Sequence, residues 1–90
     1  MKPYRTPKRI IVSDTRPYSA LRGKLAEMNI DQRYLAKLLN RSIWYIVERL
    51  AGRSPWDMDD MYAMLDLIGE PHELLNHYYP LESRKRAEAS

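Results

Sequence analysis

Apolar residues recur at steps of three and four along this chain, in short stretches that each end at a turn signal. The first stretch places Tyr18, Leu21, Leu25 and Met28 on one line, which is the spacing of a single helix face. The apolar residues of the later stretches are Leu35, Ala36, Leu38 and Leu39, then Ile43, Ile46, Val47 and Leu50, then Met58, Met61, Tyr62, Leu65 and Ile68, and finally Leu74, Leu75 and Tyr78. The pattern predicts an all-α protein, compact and built from four to five helices.

The residues between these stretches predict where the helices begin and end. Asp31 and Ser42 are expected N-cap residues, because a short polar side chain can accept a hydrogen bond from the unpaired amides of a first helical turn. Asn40 tolerates the positive φ of a tight connection, and Gly52 is a common residue at a helix C-terminus. The two central helices are expected at about 31–39 and 42–51.

A chain of 90 residues has room for one hydrophobic core, and without cysteine it has neither disulfides nor thiolate metal sites. The N-terminus is basic but lacks the apolar run of a signal peptide, and no stretch is long enough to span a bilayer. We therefore expect a cytoplasmic protein that does not enter a membrane. Its predicted parts are a basic flexible arm, a helical domain and a frayed polar tail, at 1–16, 17–80 and 81–90.

The charges are unevenly distributed along the chain. Residues 22–53 hold seven basic and three acidic residues, whereas residues 54–81 hold six acidic residues and no basic one. The arm at 1–16 adds five basic residues against a single acidic one. Clustered Lys and Arg favour a polyanion such as a nucleic-acid backbone, whatever its base sequence. The distribution therefore indicates a protein with one basic, polyanion-binding side.

Two short helices joined by a tight turn follow the helix-turn-helix plan, in which the second helix enters the major groove and the first lies across the backbone. The segment DQRYLAKLLNRSIWYIVERLAGR also resembles the lambda-repressor-like (XRE-type) helix-turn-helix family of phage repressors, Cro proteins and related regulators. The matching residues are Gln32, Leu35-Ala36-Lys37, Ser42, Ile46 and Gly52-Arg53. This resemblance, which covers residues 18–80, implies a lambda-repressor-like fold and a sequence-specific double-stranded-DNA-binding regulator, a repressor of phage or prophage type.

The resemblance also implies which residues meet DNA. Gln32 and Arg53 match positions that contact the phosphate backbone. Ile43, Trp44 and Glu48 match base-reading positions; the first two offer apolar contact with a thymine methyl, and Glu48 can accept from a cytosine amine although it repels phosphates. The full set of predicted DNA-binding residues is Gln32, Arg33, Arg41, Ser42, Ile43, Trp44, Tyr45, Glu48 and Arg53.

The apolar side chains of the second helix leave another interpretation open. Trp is enriched at protein interfaces, so Trp44 and its neighbours could dock a protein partner, as a modulator or inhibitor does on a helix-turn-helix scaffold. Family members commonly bind paired half-sites as dimers. A weak homodimer is therefore predicted, through the fifth helix, through exposed aromatic residues near Tyr78 and Tyr79, or through the arm.

Catalysis has little support in the sequence. His72 and His77 are five residues apart, which separates them by about 140° around a helix. No Ser-His-Asp set and no glycine-rich phosphate loop is present. We therefore expect no enzyme, no metal site and no cofactor.

Overall fold

A computed structural model describes residues 16–89, and within that range the chain consists of helices and turns without a strand. The predicted arm, apart from Arg16, lies outside the described residues. The α-helices are α1 (Ser19–Glu27), α2 (Gln32–Leu39), α3 (Ile43–Leu50), α4 (Met58–Ile68), α5 (Leu75–Tyr78) and α6 (Leu81–Ala89), with a short 3-10 helix at His72–Leu74 before α5. The prediction of a compact all-α protein is thereby confirmed, although the described range holds six α-helices where four to five were expected.

The predicted cap residues bound α2 and α3. Asp31 accepts a hydrogen bond from the Tyr34 amide at 2.8 Å, and the Ser42 hydroxyl accepts one from the Tyr45 amide at 3.1 Å. Asn40 ends α2 with a φ of 56°. Because residues 40–42 alone separate the two helices, the chain reverses direction tightly and brings α3 back against α2. The ranges expected from the sequence, about 31–39 and 42–51, agree with these helices. They differ only in including the cap residues Asp31, Ser42 and Ala51.

Three aromatic side chains outside the helices hold the domain together. Tyr18 lies just before α1, Trp56 lies between α3 and α4, and Tyr79 follows α5; all three are buried. The Trp56 ring meets Tyr79 edge-on with centroids 5.3 Å apart and Tyr18 edge-on at 6.5 Å, while Tyr18 and Tyr79 are 5.5 Å apart. Edge-to-face contacts of this kind are favourable beyond the area they bury. The cluster therefore fixes three turns against one another.

The helices surround a core whose largest fully buried side chains are Tyr18, Tyr79, Leu21, Leu35, Ile46, Met64 and Leu65. Arg22 ties α1 to the end of α3, because its Nη2 donates to the Leu50 carbonyl at 2.6 Å and its Nε to the Pro17 carbonyl at 3.0 Å. A guanidinium at this place also satisfies the negative end of the α3 dipole. The first and third helices are thus connected through a side chain as well as through the core.

The expectation of a frayed tail is corrected by the structure, since residues 81–89 form α6. Arg84 donates to the Tyr79 carbonyl at 3.1 Å and to the Asn76 side-chain oxygen at 2.6 Å. Ala87 is buried. A cation that binds the carbonyl groups left unpaired after α5 fixes the start of α6, and the small side chain of Ala87 lets the helix approach the domain.

Several predicted burial assignments also differ from the structure. Met28, Met58 and Leu74 are exposed, because each lies at the end of a helix where a regular helical face no longer holds. Tyr78 and Tyr79 are buried instead of being available for self-association. Tyr79 follows the last residue of α5 with a φ of −125°, and this extended geometry turns its ring into the aromatic cluster.

Candidate nucleic-acid interface

A cleft of about 570 Å³ lies beside the N-terminus of α2. Gln32, the first residue of α2, forms part of its wall together with Arg16, Arg22 and the N-cap residue Asp31. The first amides of a helix have no partner within the helix and attract anions. Amide donors, the Gln32 side-chain amide and two arginines therefore lie at one surface, together with the Asp31 carboxylate that already accepts the Tyr34 amide.

The outward side of α3 carries Trp44 and, one turn later, Glu48. Trp44 is 70 % exposed and is the most exposed large apolar side chain of the described residues. Ser42 is exposed at the N-cap, whereas Ile43 is half-buried. We call Trp44 and Glu48, together with Arg53 beyond the helix, the outer face of α3. An indole and a carboxylate thus stand where the resemblance expects base contacts.

Glu48 and Arg53 form a forked ion pair on this outer face. Arg53 Nε lies 3.2 Å from each carboxylate oxygen of Glu48, and Arg53 Nη2 lies 3.0 Å from Oε2. Hydrogen bonding to Arg53 lowers the pKa of Glu48, and the same bonds raise the pKa of Arg53. Both groups are therefore charged at neutral pH. The cation expected on phosphate and the carboxylate expected on a base are bound to each other.

Arg41 and Tyr45 point instead toward α4, where they meet a buried carboxylate. Arg41 Nη2 lies 3.2 Å and 3.1 Å from the two oxygens of Asp60, and the Tyr45 hydroxyl donates to Asp60 Oδ2. Asp57 lies at the edge of the group, 3.4 Å from the Tyr45 hydroxyl and 4.0 Å from Arg41. We call these four residues the Asp60 network. It joins the turn after α2, the inner side of α3 and the start of α4.

The Tyr45 ring is enclosed by cations and by an aromatic neighbour. The Arg49 guanidinium lies 3.5 Å from the ring centroid and that of Arg41 lies 4.6 Å away. Trp56 meets the ring nearly at right angles with centroids 6.5 Å apart. Burial, followed by the hydrogen bond to Asp60, raises the pKa of Tyr45 to about 12. Tyr45 is therefore a neutral residue that holds α3 on α4 and is directed away from the outer face.

Arg33 and Lys37 lie one turn apart on the exposed side of α2. Neither forms an ion pair with another residue of the range 16–89. These two cations could therefore contact a polyanion without giving up an existing partner, in contrast to Arg41 and Arg53.

The structure thus divides the predicted DNA-binding residues into three groups. Gln32 borders the cleft and Arg33 lies on the exposed side of α2. Ser42, Ile43, Trp44, Glu48 and Arg53 lie along α3 and its exit, while Arg41 and Tyr45 belong to the Asp60 network. Lys37, Arg16 and Arg22 were not predicted as site residues. The spacing of Lys37 from Arg33 could have indicated a shared face, but the position of Arg22 depends on tertiary contacts.

The described residues contain no group of three or more His, Cys, Asp or Glu side chains that could hold a metal ion. Within the same range no helix has both the length and the apolar character needed to cross a membrane. His72 is hydrogen-bonded to Asp66 at 2.8 Å and lies against the Tyr62 ring, with ring centroids 4.6 Å apart.

The function of this surface has to be inferred from its own residues, their charges and their contacts. The chain matches no protein-family model, no curated protein and no solved structure.

Proposed function

We propose that the protein is a transcriptional regulator of phage or prophage type that binds double-stranded DNA sequence-specifically and acts in the cytoplasm as a repressor. In this proposal α2 and α3 are the two helices of a lambda-repressor-like helix-turn-helix, with α3 in the major groove. One observation carries the proposal. Two capped eight-residue helices are joined by residues 40–42. A cleft with Gln32 and two arginines in its wall lies at the start of the first helix, and the second helix has an exposed outer face.

The charges support backbone contact more directly than base reading. Gln32 and the first amides of α2, beside Arg16, suit one phosphate, whereas Arg22 already donates to two backbone carbonyls. Arg33 and Lys37 suit two neighbouring phosphates, since no carboxylate in the described range competes for them. Each neutralised phosphate releases counterions, so binding should weaken steeply with salt. The activity proposed is binding alone, without catalysis, cofactor or metal.

The test is selection of duplexes from a randomised pool, followed by salt titration of the retained sequence. We expect an enriched motif and an affinity that falls by about 0.9 log unit per log unit of salt for each phosphate neutralised. Arg33→Gln with Lys37→Gln should lower the salt slope by about two such contacts. Lys85→Gln on α6, an exposed cation outside α2 and α3, is the matched control and should change nothing. No retention of any duplex at low salt would contradict the proposal.

We also propose that the protein binds its operator as a weak homodimer, because one short helix reads few bases and dimers of such domains bind paired half-sites. Tyr78 and Tyr79 are buried and cannot form the contact. The exposed apolar side chains nearest to them in the chain are Leu74 and Leu81. Sedimentation of the protein with one enriched duplex should give two chains per duplex, and a single chain bound tightly would contradict a dimer.

A second candidate function is docking of a protein partner, and the exposure of Trp44 favours it. Tyr34 and Leu38 on α2 are also exposed. Charge reversal separates the two functions: Arg33→Glu with Lys37→Glu should abolish DNA binding, whereas Trp44→Ala should abolish docking. Arg41 is unsuitable as a probe, because a carboxylate there would face Asp60 and Asp57. An in-cell effect that survives the charge reversal and disappears in Trp44→Ala would establish docking.

A further inference from the structure

Arg53 is held over the last turn of α3 by its backbone as well as by its side chain. Its amide donates to the Glu48 carbonyl at 3.0 Å, and the Gly52 amide donates to the Arg49 carbonyl at 3.1 Å. Gly52 has a φ of 80°, the left-handed conformation that commonly closes a helix. The backbone therefore places the Arg53 side chain beside the carboxylate of Glu48, the same residue whose carbonyl accepts from the Arg53 amide.

The fork occupies the donors that a phosphate would use. A guanidinium binds a phosphate or a carboxylate through two parallel N–H groups, and here Nε and Nη2 are both directed at Glu48. The side chain of Arg53 is 58 % exposed and that of Glu48 is 38 % exposed. Ion pairs in such exposed positions are weak. A phosphate can therefore compete for Arg53, but it has to displace a carboxylate that is already in place.

The ion pair in the Asp60 network differs in this respect. Asp60 has a side chain that is only 9 % exposed, and it also accepts from the Tyr45 hydroxyl. Displacing Arg41 from it would leave a buried carboxylate short of a partner, which is costly. Arg41 is thus fixed in the domain, whereas Arg53 is exchangeable.

We propose that Glu48 is an intramolecular competitor for DNA phosphate, which holds Arg53 and thereby restrains the affinity of the protein for duplexes of any sequence. This inference rests on the proposed function. Backbone contacts of Lys and Arg add affinity equally for all sequences, and discrimination improves when such affinity is opposed by a repulsive or competing group. Glu48 lies on the same outer face as Trp44, so the competitor stands beside the side chain best placed to meet bases.

The experiment measures affinity for a mixed-sequence duplex across a range of salt concentrations, for the wild type, Glu48→Gln, Arg53→Gln and the double variant. Glu48→Gln should bind more tightly and should steepen the salt slope by about 0.9, the value for one further phosphate contact. Part of the gain arises because a negative charge has been removed near phosphate. That part is present in both backgrounds, so the gain should be about two- to fivefold larger when Arg53 is present, as expected for an exposed ion pair.

Glu27→Gln is the matched control, because Glu27 is an exposed carboxylate on α1 that pairs with Lys24 at 3.8 Å. It changes the net charge equally and should leave the affinity almost unchanged. A gain from Glu48→Gln that is equal in the two Arg53 backgrounds, or absent in both, would overturn the role of Glu48 while DNA binding by the wild type stands. Failure of the wild type and of Glu48→Gln to bind the duplex even at low salt would overturn the proposed function and this inference together.

Discussion

Two arginines that flank α3 in the chain, Arg41 and Arg53, each pair with a carboxylate, but only one of these carboxylates is buried. On the inner side, the Asp60 network joins Arg41 and Tyr45 to a carboxylate that is almost inaccessible. On the outer face, Arg53 pairs with Glu48, and both side chains are exposed to solvent. The same holds for the tryptophans: Trp56 is 6 % exposed beside the inner side, whereas Trp44 on the outer face is 70 % exposed.

Buried polar residues beside α3 position the helix, whereas its exposed residues are available to a partner. A polar group buried in the protein has to keep its hydrogen bonds, because leaving it unpaired is costly. An exposed ion pair exchanges readily with solvent or a ligand. We therefore expect substitutions on the inner side to act on stability and substitutions on the outer face to act on binding.

The largest contrast should come from the two tryptophans. Trp56→Ala removes the ring that contacts Tyr18, Tyr45 and Tyr79 and should lower the free energy of unfolding by about 3–5 kcal/mol. Trp44→Ala removes an exposed side chain and should change it by less than about 0.5 kcal/mol. Urea denaturation measured by circular dichroism gives both values. Similar losses for the two variants would mean that the sides of α3 do not differ as described.

The carboxylates should show the next largest contrast. Asp60→Ala leaves the Tyr45 hydroxyl and Arg41 without their acceptor, so the free energy of unfolding should fall by about 2 kcal/mol. Glu48→Ala leaves an arginine that water can solvate, and its unfolding curve should overlie that of the wild type. The two variants lose the same charge, so net charge cannot produce the difference. A loss in Glu48→Ala as large as that in Asp60→Ala would contradict the assignment of the fork to the binding surface.

Gly52 follows the end of α3. The sequence predicted its role at the helix C-terminus but not its contact with Pro17. The φ of 80° is one reason for glycine, and a Cβ there would lie 3.0 Å from Pro17 Cγ. Gly52→Ala should therefore cost about 1–2 kcal/mol of unfolding free energy. Gly69→Ala has a similar φ of 75° with no atom within 4 Å, so it should cost less. Gly23→Ala lies within α1 and should stabilise by up to about 1 kcal/mol.

These substitutions are measured in the same denaturation experiment. A loss in Gly69→Ala equal to that in Gly52→Ala would show that backbone conformation alone accounts for the effect. The contact between Gly52 and Pro17 would then have no energetic role.

Local signals explain why much of the α2–α3 pair was predictable. Asp31, Ser42 and Asn40 act on amides or backbone angles within a few residues, so their roles follow from sequence neighbours. Trp56 and Tyr79 belong to no helical stripe, and their burial follows from the packing of three turns that are distant in the sequence.

The sequence predicted the net charge of each half of the chain but not which charged residues pair with one another. The sequence shows a basic half and an acidic half, but it does not show that Arg41 is paired with Asp60 across 19 residues. Asp60 lies in the first turn of α4, where a carboxylate also suits the helix dipole. Its main contacts, however, are with the turn before α3 and with α3 itself, which only the fold brings within reach.

A pH dependence is also expected from the inner side of α3. The pKa of Tyr45 is raised from 10.0 to about 12 by burial and by the hydrogen bond to Asp60. A raised pKa means that the folded state holds its proton more tightly than the unfolded state. The resulting stabilisation is therefore complete below pH 10 and is lost as the pH rises toward about 12. Tyr45→Phe has no such proton, so its deficit relative to the wild type should shrink over this interval.

The measurement is urea denaturation of both proteins at several pH values from neutral to alkaline, with phenolate absorbance followed in parallel. Tyr18, Tyr78 and Tyr79 also have raised pKa values because they are buried, so the wild type and the variant share a background loss that cancels in their difference. Tyr34→Phe, which removes an exposed tyrosine of α2, is the matched control. A deficit for Tyr45→Phe that stays constant with pH would show that the pKa of Tyr45 is not raised, and the contact between Tyr45 and Asp60 would then not stabilise α3 on α4 in the way described.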